Sequence, residues 1–312
     1  MAAAQPTISF PQNIKQLKPA LRIAATVGSN IKMKTPIQKE YVRRLANLND
    51  QFCFFLFNRE ELNQKLSNYT DKANPLYTTD LFSKNQYAPK IHVTFEKLPE
   101  FQEQNETLNF GAYFSFTYEF FSSYIDDVIT IVEEINGVSL TASEQRKEPE
   151  KRLKKIISKS GYTPPAQEIF DTISYCRLRR NYFTHVLDSL NNKFQDIVNN
   201  KGAGLNAYWS GARNSLDFTQ TNVDQFEENE TIELLKIQRI LLETIDQFIG
   251  GILNKVGIAE YLSNQAFSKP TRINEDVVKK RKTKIASLSK NHFGVALTDA
   301  DMNNAVRTIG KK

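Results

Sequence analysis

Apolar residues recur every three or four positions through most of this chain, which is the spacing that one face of an α-helix requires. The pattern is strongest in three long segments, residues 36–68, 106–135 and 229–256. Glycine and proline are scarce, with 12 and 11 in 312 residues, whereas a many-stranded sheet would need turns far more often. The chain is therefore predicted to be all-α.

Two further helical segments follow the strongly apolar one. Residues 149–160 are basic, with Pro149 at the first turn and Gly161 just after the end, as helix termini favour. Residues 165–199 then predict a single long helix, and a short helix is expected over residues 205–216.

The expected organisation is a helical bundle over residues 106–265, with an accessory region before it and a tail after it. The N-terminal accessory region is residues 1–105, and the C-terminal tail is residues 266–312. Within the accessory region, residues 91–95 alternate between apolar and polar side chains, which predicts one short strand. Because one strand cannot form a sheet, it is expected to be an edge or hairpin piece.

Positive charge is concentrated in the tail. Residues 268–312 hold 11 Lys or Arg against 4 Asp or Glu, whereas the whole chain has 41 against 35. Such a segment can bind the phosphates of RNA without sequence preference, or serve only as a solvated tail. The candidate RNA contacts are the consecutive residues Lys279, Lys280, Arg281 and Lys282.

Cysteine usage and the N-terminus indicate the compartment. Cys53 and Cys176 have no spacing typical of a disulfide framework or a zinc site, which favours a reducing environment. The first residues lack the basic stretch and apolar core of a signal peptide. The apolar stretch over residues 108–135 contains acidic residues, Glu119, Asp126 and Asp127 among them, and does not look like a membrane span. A cytoplasmic protein without membrane contact is expected.

No pattern indicates a bound metal or another cofactor, and none is expected. His92 and His292 stand apart from each other and from any cysteine or carboxylate cluster of metal-ligand spacing. Residues 200–204, Asn-Lys-Gly-Ala-Gly, lack the pattern of a phosphate-binding loop and are expected to end the preceding helix.

The helix over residues 165–199 carries the side chains with the most chemical potential. Arg180 falls where the apolar stripe of this helix would continue, so partial burial is expected. In ideal helix geometry one arc of about 140°, from Arg180 to His185, presents six polar side chains together. The residues of this arc are Arg180, Thr184, Arg177, Asp188, Asn181 and His185.

These residue types are the ones that phosphodiester cleavage needs. An arginine binds the phosphate and offsets the negative charge that develops. A histidine transfers protons near neutral pH, and an amide or carboxylate can orient its ring. RNA supplies its own nucleophile, the 2′-hydroxyl, so a metal is not required. The alternative is the polar face that any amphipathic helix turns to water.

Residues 180–185 read Arg-Asn-Tyr-Phe-Thr-His, which matches the R-N-x-x-x-H form of the R-x(4–6)-H motif of the HEPN superfamily. The order of elements is also similar: an aromatic-rich helix, a short basic helix, the motif inside a long helix, and a further helix. The chain therefore resembles this superfamily over about residues 106–265.

The resemblance implies a metal-independent endoribonuclease that leaves a 2′,3′-cyclic phosphate. Arg180 would bind the phosphate, Asn181 would position the cleft, and His185 would be the general acid or base, with Arg179 as an alternative phosphate ligand. Two motifs would face one composite cleft in a homodimer, which suits an Arg180 and a His185 that diverge on one helix. The implied role is a toxin or antiphage (abortive-infection) effector with RNA as substrate and an antitoxin or other defence-system protein as a partner.

The chain also departs from the family. Toxins that an antitoxin modifies carry a tyrosine two residues after the histidine, and this chain has Leu187 there. Some members keep an acidic residue on the preceding helix, for which Glu119, Asp126 and Asp127 are candidates. Because not every HEPN domain cleaves RNA, two alternatives stay open: a non-catalytic dimerisation or nucleic-acid-binding module, and a subunit of a larger defence complex.

Overall fold

The computed structural model describes residues 33–67, 76–184, 192–221, 223, 226–267 and 273–307. Within these ranges the chain forms helices and no strand, so the predicted all-α class is confirmed. None of the described helices is both long and apolar enough to cross a bilayer. The helices are α1 (Gln38–Ser67), α2 (Thr78–Leu81), α3 (Ala88–Ile91), α4 (Leu98–Asn136), α5 (Ala142–Gln145), α6 (Pro149–Lys159), α7 (Gln167–Thr184), α8 (Asn192–Tyr208), α9 (Glu228–Ile252), α10 (Lys255–Ala266), α11 (Glu275–Phe293) and α12 (Asp299–Met302).

The central element is α4, which is 39 residues long and contacts α1, α6, α7, α9 and α10. Pro99 lies in its first turn, where the missing N–H group is not needed. Gly137 ends it with a φ of 65°, a left-handed conformation that glycine adopts without strain. Its buried side chains form the middle of the hydrophobic core.

Two long helices flank α4 in opposite directions. The helix α1 is antiparallel to α4, because the Tyr41 hydroxyl donates to Asp127 (2.6 Å) while Gln102 donates to Asn63 (2.6 Å). The helix α9 is parallel to α4, because two contacts between them advance in the same direction along both helices. The Tyr124 hydroxyl donates to Asp246 (3.0 Å), and the Asn136 amide donates to the Ile252 carbonyl (3.2 Å).

The segment before α1 is tied to the core by a buried carboxylate. Asp246 accepts hydrogen bonds from the backbone N–H of Thr35 (3.0 Å) and from the hydroxyls of Thr35 and Tyr124. Burial raises the pKa of Asp246 to about 6, although these hydrogen bonds act in the opposite direction. Nearby, the Lys34 N–H donates to the Phe293 carbonyl (3.1 Å), so the start of the described chain meets the end of α11.

The C-terminal region differs from the solvated tail that the charge pattern suggested. It forms α11 and α12, and the Ser263 hydroxyl of α10 donates to the Ala305 carbonyl (2.7 Å). The physical reason is a set of apolar side chains at helical spacing among the charged ones. Buried members of this set are Ile285, Phe293, Val295, Met302, Ala305 and Val306.

The strand predicted over residues 91–95 is wrong for the described chain. Residues up to Ile91 belong to α3, His92 follows with a φ of 38°, and Phe95–Lys97 form a 3-10 turn. The described pairing is an isolated bridge between Tyr77 and Thr94. Local bonds hold Ile91 and His92 in the helical turn, and the backbone of Val93 and Phe95 pairs only with Thr78 and Leu76, which is too short a pairing for a strand.

The helix predicted over residues 165–199 is described in two parts, α7 and α8, and residues 185–191 lie outside the described residues. The expectation that residues 200–204 end a helix is wrong, because α8 continues through Gly202 and Gly204 to Tyr208. Position 202 requires glycine because a Cβ would lie 2.6 Å from the Phe218 carbonyl oxygen, which packs against the helix at this point. The separate helix expected over residues 205–216 is likewise absent from the described residues.

Candidate functional site

The last turn of α7 is positioned by a close contact with α4. A Cβ at Gly111 would lie 2.2 Å from the ring of Phe183, so this ring fits against α4 only because position 111 has no side chain. The Phe183 ring also meets Phe226 edge to face, with centroids 5.4 Å apart. These contacts fix the turn that carries Arg180 and Thr184.

Arg180 projects from this turn toward α4 and is held there by polar partners. Its Nη2 atom lies 2.6 Å from the Glu119 carboxylate, and Nη1 donates to the Asn181 side-chain oxygen (3.1 Å). The Arg180 side chain is 28% exposed and that of Glu119 is 49% exposed. The Arg180 side chain is therefore mostly buried, in line with the partial burial expected from the stripe, and keeps a minority of its surface in contact with solvent.

The three candidate acids of α4 have three different partners. Glu119 pairs with Arg180, whereas the Asp126 carboxylate lies 2.6 Å from Arg152 Nη2 and Asp127 accepts from the Tyr41 hydroxyl. Of the three, only Glu119 is placed beside the motif.

Arg179, the alternative phosphate ligand, is directed into the core and is 0% exposed. Its Nη1 and Nη2 atoms donate to the two carboxylate oxygens of Glu230 (2.7 and 2.9 Å), and Nη1 also donates to the Tyr175 hydroxyl (3.1 Å). The guanidinium carbon lies 4.4 Å from the centre of the Phe226 ring. Burial opposes the charge, but Tyr175 and Glu230 more than offset it and raise the pKa of Arg179. In this arrangement Arg179 is closed to a phosphate, whereas Arg180 is open.

The other described residues of the polar arc lie along the same side of α7. Arg177 binds the nearly buried Glu150 carboxylate through Nη2 (2.8 Å) and Nε (3.3 Å). The exposed Thr184 hydroxyl donates to the backbone carbonyls of Arg180 and Asn181. His185 and Asp188, the remaining predicted site residues, lie outside the described residues.

The four candidate RNA contacts of the C-terminal region lie in different environments on α11. Lys279 and Lys280 are exposed. Arg281 is buried and donates to the Val306 carbonyl (3.1 Å), and Lys282 lies 3.0 Å from the Asp299 carboxylate. The structure thus does not bring these four side chains together on one surface.

Two carboxylate partners of the α7 arginines were missed from the sequence. Glu150 and Glu230 bind Arg177 and Arg179 across separations of 27 and 51 residues. Each looks like an ordinary surface glutamate in its own segment, so no local signal indicates its partner. Within the described ranges, no group of three or more His, Cys, Asp or Glu side chains could hold a metal ion.

Comparisons of the chain with protein-family models, with curated proteins and with solved structures find no significant match. Any functional interpretation therefore depends on the motif and on the geometry described above.

Proposed function

We propose that this chain is a cytoplasmic, metal-independent endoribonuclease of the HEPN type, with a composite site formed by Arg180 and His185 of two subunits. The observation that carries the proposal is the Arg180 guanidinium, held by Glu119 and Asn181 yet open to solvent, at the start of the R-N-x-x-x-H motif. A partly exposed, oriented arginine is suited to bind a phosphate through paired N–H groups.

In the proposed reaction the 2′-hydroxyl of the substrate loses its proton and attacks the adjacent phosphorus. The bond to the 5′-oxygen of the next nucleotide breaks, that oxygen takes up a proton, and a 2′,3′-cyclic phosphate remains. His185 serves as general acid or base for one of these proton transfers. Arg180 stabilises the charge that develops on the phosphate oxygens, and Glu119 and Asn181 keep its guanidinium in position.

The proposed biological role is that of a growth-arresting toxin or antiphage effector, which follows from the resemblance of the motif and its context. An antitoxin or other defence-system protein would then restrain the activity.

The test is cleavage of labelled RNA in EDTA by the purified chain and by His185→Ala and Arg180→Ala. Each substitution is expected to lower the rate by about 100-fold or more, because it removes a proton-transfer group or a charge-stabilising group. Arg43→Ala is the matched control, since Arg43 is an exposed α1 arginine paired with Glu40. Circular dichroism must show the same helix content for all variants. A wild-type protein that leaves RNA intact, or a fully active His185→Ala, would rule the proposal out.

A second candidate is a non-catalytic dimerisation or nucleic-acid-binding module. It is favoured by the fact that the guanidinium groups of Arg177, Arg179 and Arg180 each have a carboxylate partner in the same chain. Such pairs also serve a purely structural role. On this alternative Arg180→Ala changes the free energy of unfolding but leaves RNA binding and host growth as they are in wild type.

A further inference from the structure

The helix α11 places its basic residues on two faces with different roles. The inward face holds the C-terminal segment, because buried Arg281 donates to the Val306 carbonyl and lies 4.7 Å from the centre of the Phe267 ring. Lys282 is paired with Asp299 at the start of α12. These two cations are engaged by groups of the C-terminal segment.

The outward face carries two exposed lysines, Lys279 and Lys280, and exposed Lys284 borders it, with its ammonium group 5.5 Å from the centre of the Phe267 ring. Lys280 and Lys284, four residues apart, are neighbours on the helix surface, and with Lys279 the three lysines span an arc of about 140°. Together with Asp276, Thr283, Ser287 and Leu288 they line a shallow groove of about 540 Å³. Within the described part of the chain, none of the three ammonium groups forms an ion pair, so their charge is not neutralised there.

We infer that this outward face of α11, defined by Lys279, Lys280 and Lys284, binds the sugar-phosphate backbone of single-stranded RNA. A row of ammonium groups alternating with hydroxyls matches backbone phosphates, which are recognised by charge and by simple hydrogen-bond donors. The charged side chains that line the groove are three lysines against one aspartate, Asp276, so its net charge favours a polyanion. The choice of RNA as the polyanion rests on the proposed function.

The face is separate from the candidate cleavage site. The helix α10, on which α11 packs, touches the C-terminal end of α4, where Gly257 meets the Ile135 carbonyl. Arg180 meets α4 at Glu119, 16 residues earlier, which corresponds to about 24 Å along a helix. The lysine face therefore holds a part of the RNA remote from the scissile bond and contributes affinity rather than chemistry.

The experiment measures binding of a fluorescent, uncleavable 2′-O-methyl RNA of about 16 nucleotides to the full chain by anisotropy. The triple variant Lys279→Gln, Lys280→Gln, Lys284→Gln is compared with wild type between about 50 and 200 mM salt. Losing three phosphate contacts is expected to reduce the slope of log affinity against log salt by about 2. The control carries Lys65→Gln, Lys97→Gln and Lys147→Gln, three exposed lysines on other parts of the molecule, and has the same net charge.

The inference is supported if the control keeps the wild-type slope and the α11 variant shows the reduced slope. It is overturned if wild type does not bind, if both triple variants lose the slope equally, or if the α11 variant binds as wild type does. Tighter binding of a single-stranded DNA of the same length would overturn the choice of RNA. Because the probe cannot be cleaved, this result is independent of the cleavage test, and either proposal can fail alone.

Discussion

Arg179 and Arg180 are neighbours in sequence, yet their guanidinium groups lie in different environments. The first is enclosed between Glu230, Tyr175 and Phe226, and the second faces Glu119 at the surface. The sequence placed Arg180 at the margin of an apolar stripe, which agrees with its partial burial. It could not separate the structural arginine from the candidate ligand, because Glu230 lies 51 residues away on another helix.

Removing the partner of the buried arginine should be costly. In Glu230→Ala the Arg179 charge stays buried without a counter-ion, and the free energy of unfolding is expected to fall by about 3–5 kcal/mol. Urea denaturation measures this loss. Glu40→Ala, which breaks a pair of exposed side chains on α1, should give a far smaller loss. Equal losses in the two variants would show that Arg179 finds another partner or reaches water.

The buried Asp246 should make stability depend on pH. Its pKa is about 6 in the folded protein, against 3.8 as the ordinary value, so between these values the folded state binds more protons than the unfolded state. The contribution of Asp246 to the free energy of unfolding is therefore greatest at acid pH. It falls by about 3 kcal/mol as pH rises through this range.

The matched variant is Asp246→Asn, which keeps the shape and cannot ionise. Urea denaturation from about pH 4 to about pH 8 is expected to show the variant gaining stability relative to wild type as pH rises. The amide has only one accepting oxygen, so the loss of the Thr35 N–H bond should lower its stability by an amount that does not depend on pH. A constant difference between the two proteins across this range would contradict the assignment.

At the level of elements, helix bounds were predictable wherever the termini have local signals. Residues 149–160 were predicted from Pro149 and Gly161, and α6 covers Pro149–Lys159. The helix predicted over residues 106–135 begins earlier, at Leu98. Its first two turns were missed because they are mostly polar and carry no apolar stripe. Gly202 and Gly204 led to a helix end predicted too early, before Tyr208. Local composition does not reveal that Phe218 packs against Gly202 inside the helix.

The α4–α7 contact gives a prediction about an element. In Gly111→Ala the new methyl group would overlap the Phe183 ring, so the last turn of α7 must move. The free energy of unfolding is expected to fall by about 1–3 kcal/mol, which outweighs a helix-propensity gain of about 1 kcal/mol. Urea denaturation checks this, and combining the change with Phe183→Leu should recover part of the loss.

The control for this prediction is Gly204→Ala. Gly204 also lies inside a helix, but a Cβ there would meet nothing within 4 Å, so alanine should stabilise the chain by up to about 1 kcal/mol. A Gly111→Ala protein that is as stable as Gly204→Ala would mean that Phe183 moves without cost.

At the scale of the whole molecule, the composite site predicts complementation between two inactive chains. Arg180→Ala and His185→Ala homodimers each lack a complete site. A heterodimer keeps one site, with arginine from one subunit and histidine from the other. Co-expression is expected to restore about one quarter of wild-type cleavage, since half the dimers are mixed and each has one intact site. No recovery from a verified heterodimer, with wild type active, would place both groups in one chain.

Which segments come together was the least predictable aspect. The accessory region and the C-terminal region were expected to lie outside the bundle, but Tyr41 and Phe293 both belong to the hydrophobic core. Periodicity identifies an apolar face without its partner, so the contact between Lys34 and Phe293 has no local signature.

The parallel pairing of α4 and α9 has a consequence for the time course of synthesis. Tyr124 and Asp246 are 122 residues apart, and at about 5–20 residues per second α4 leaves the ribosome about 6–24 s before the helix that covers it. During that interval the part of the α4 surface that α9 covers has no native partner. Pairings this distant also slow folding, because loop-closure entropy is lost before the contact forms. This chain should therefore depend on chaperones during translation more than an up-and-down bundle of the same size, whose neighbouring helices emerge in succession.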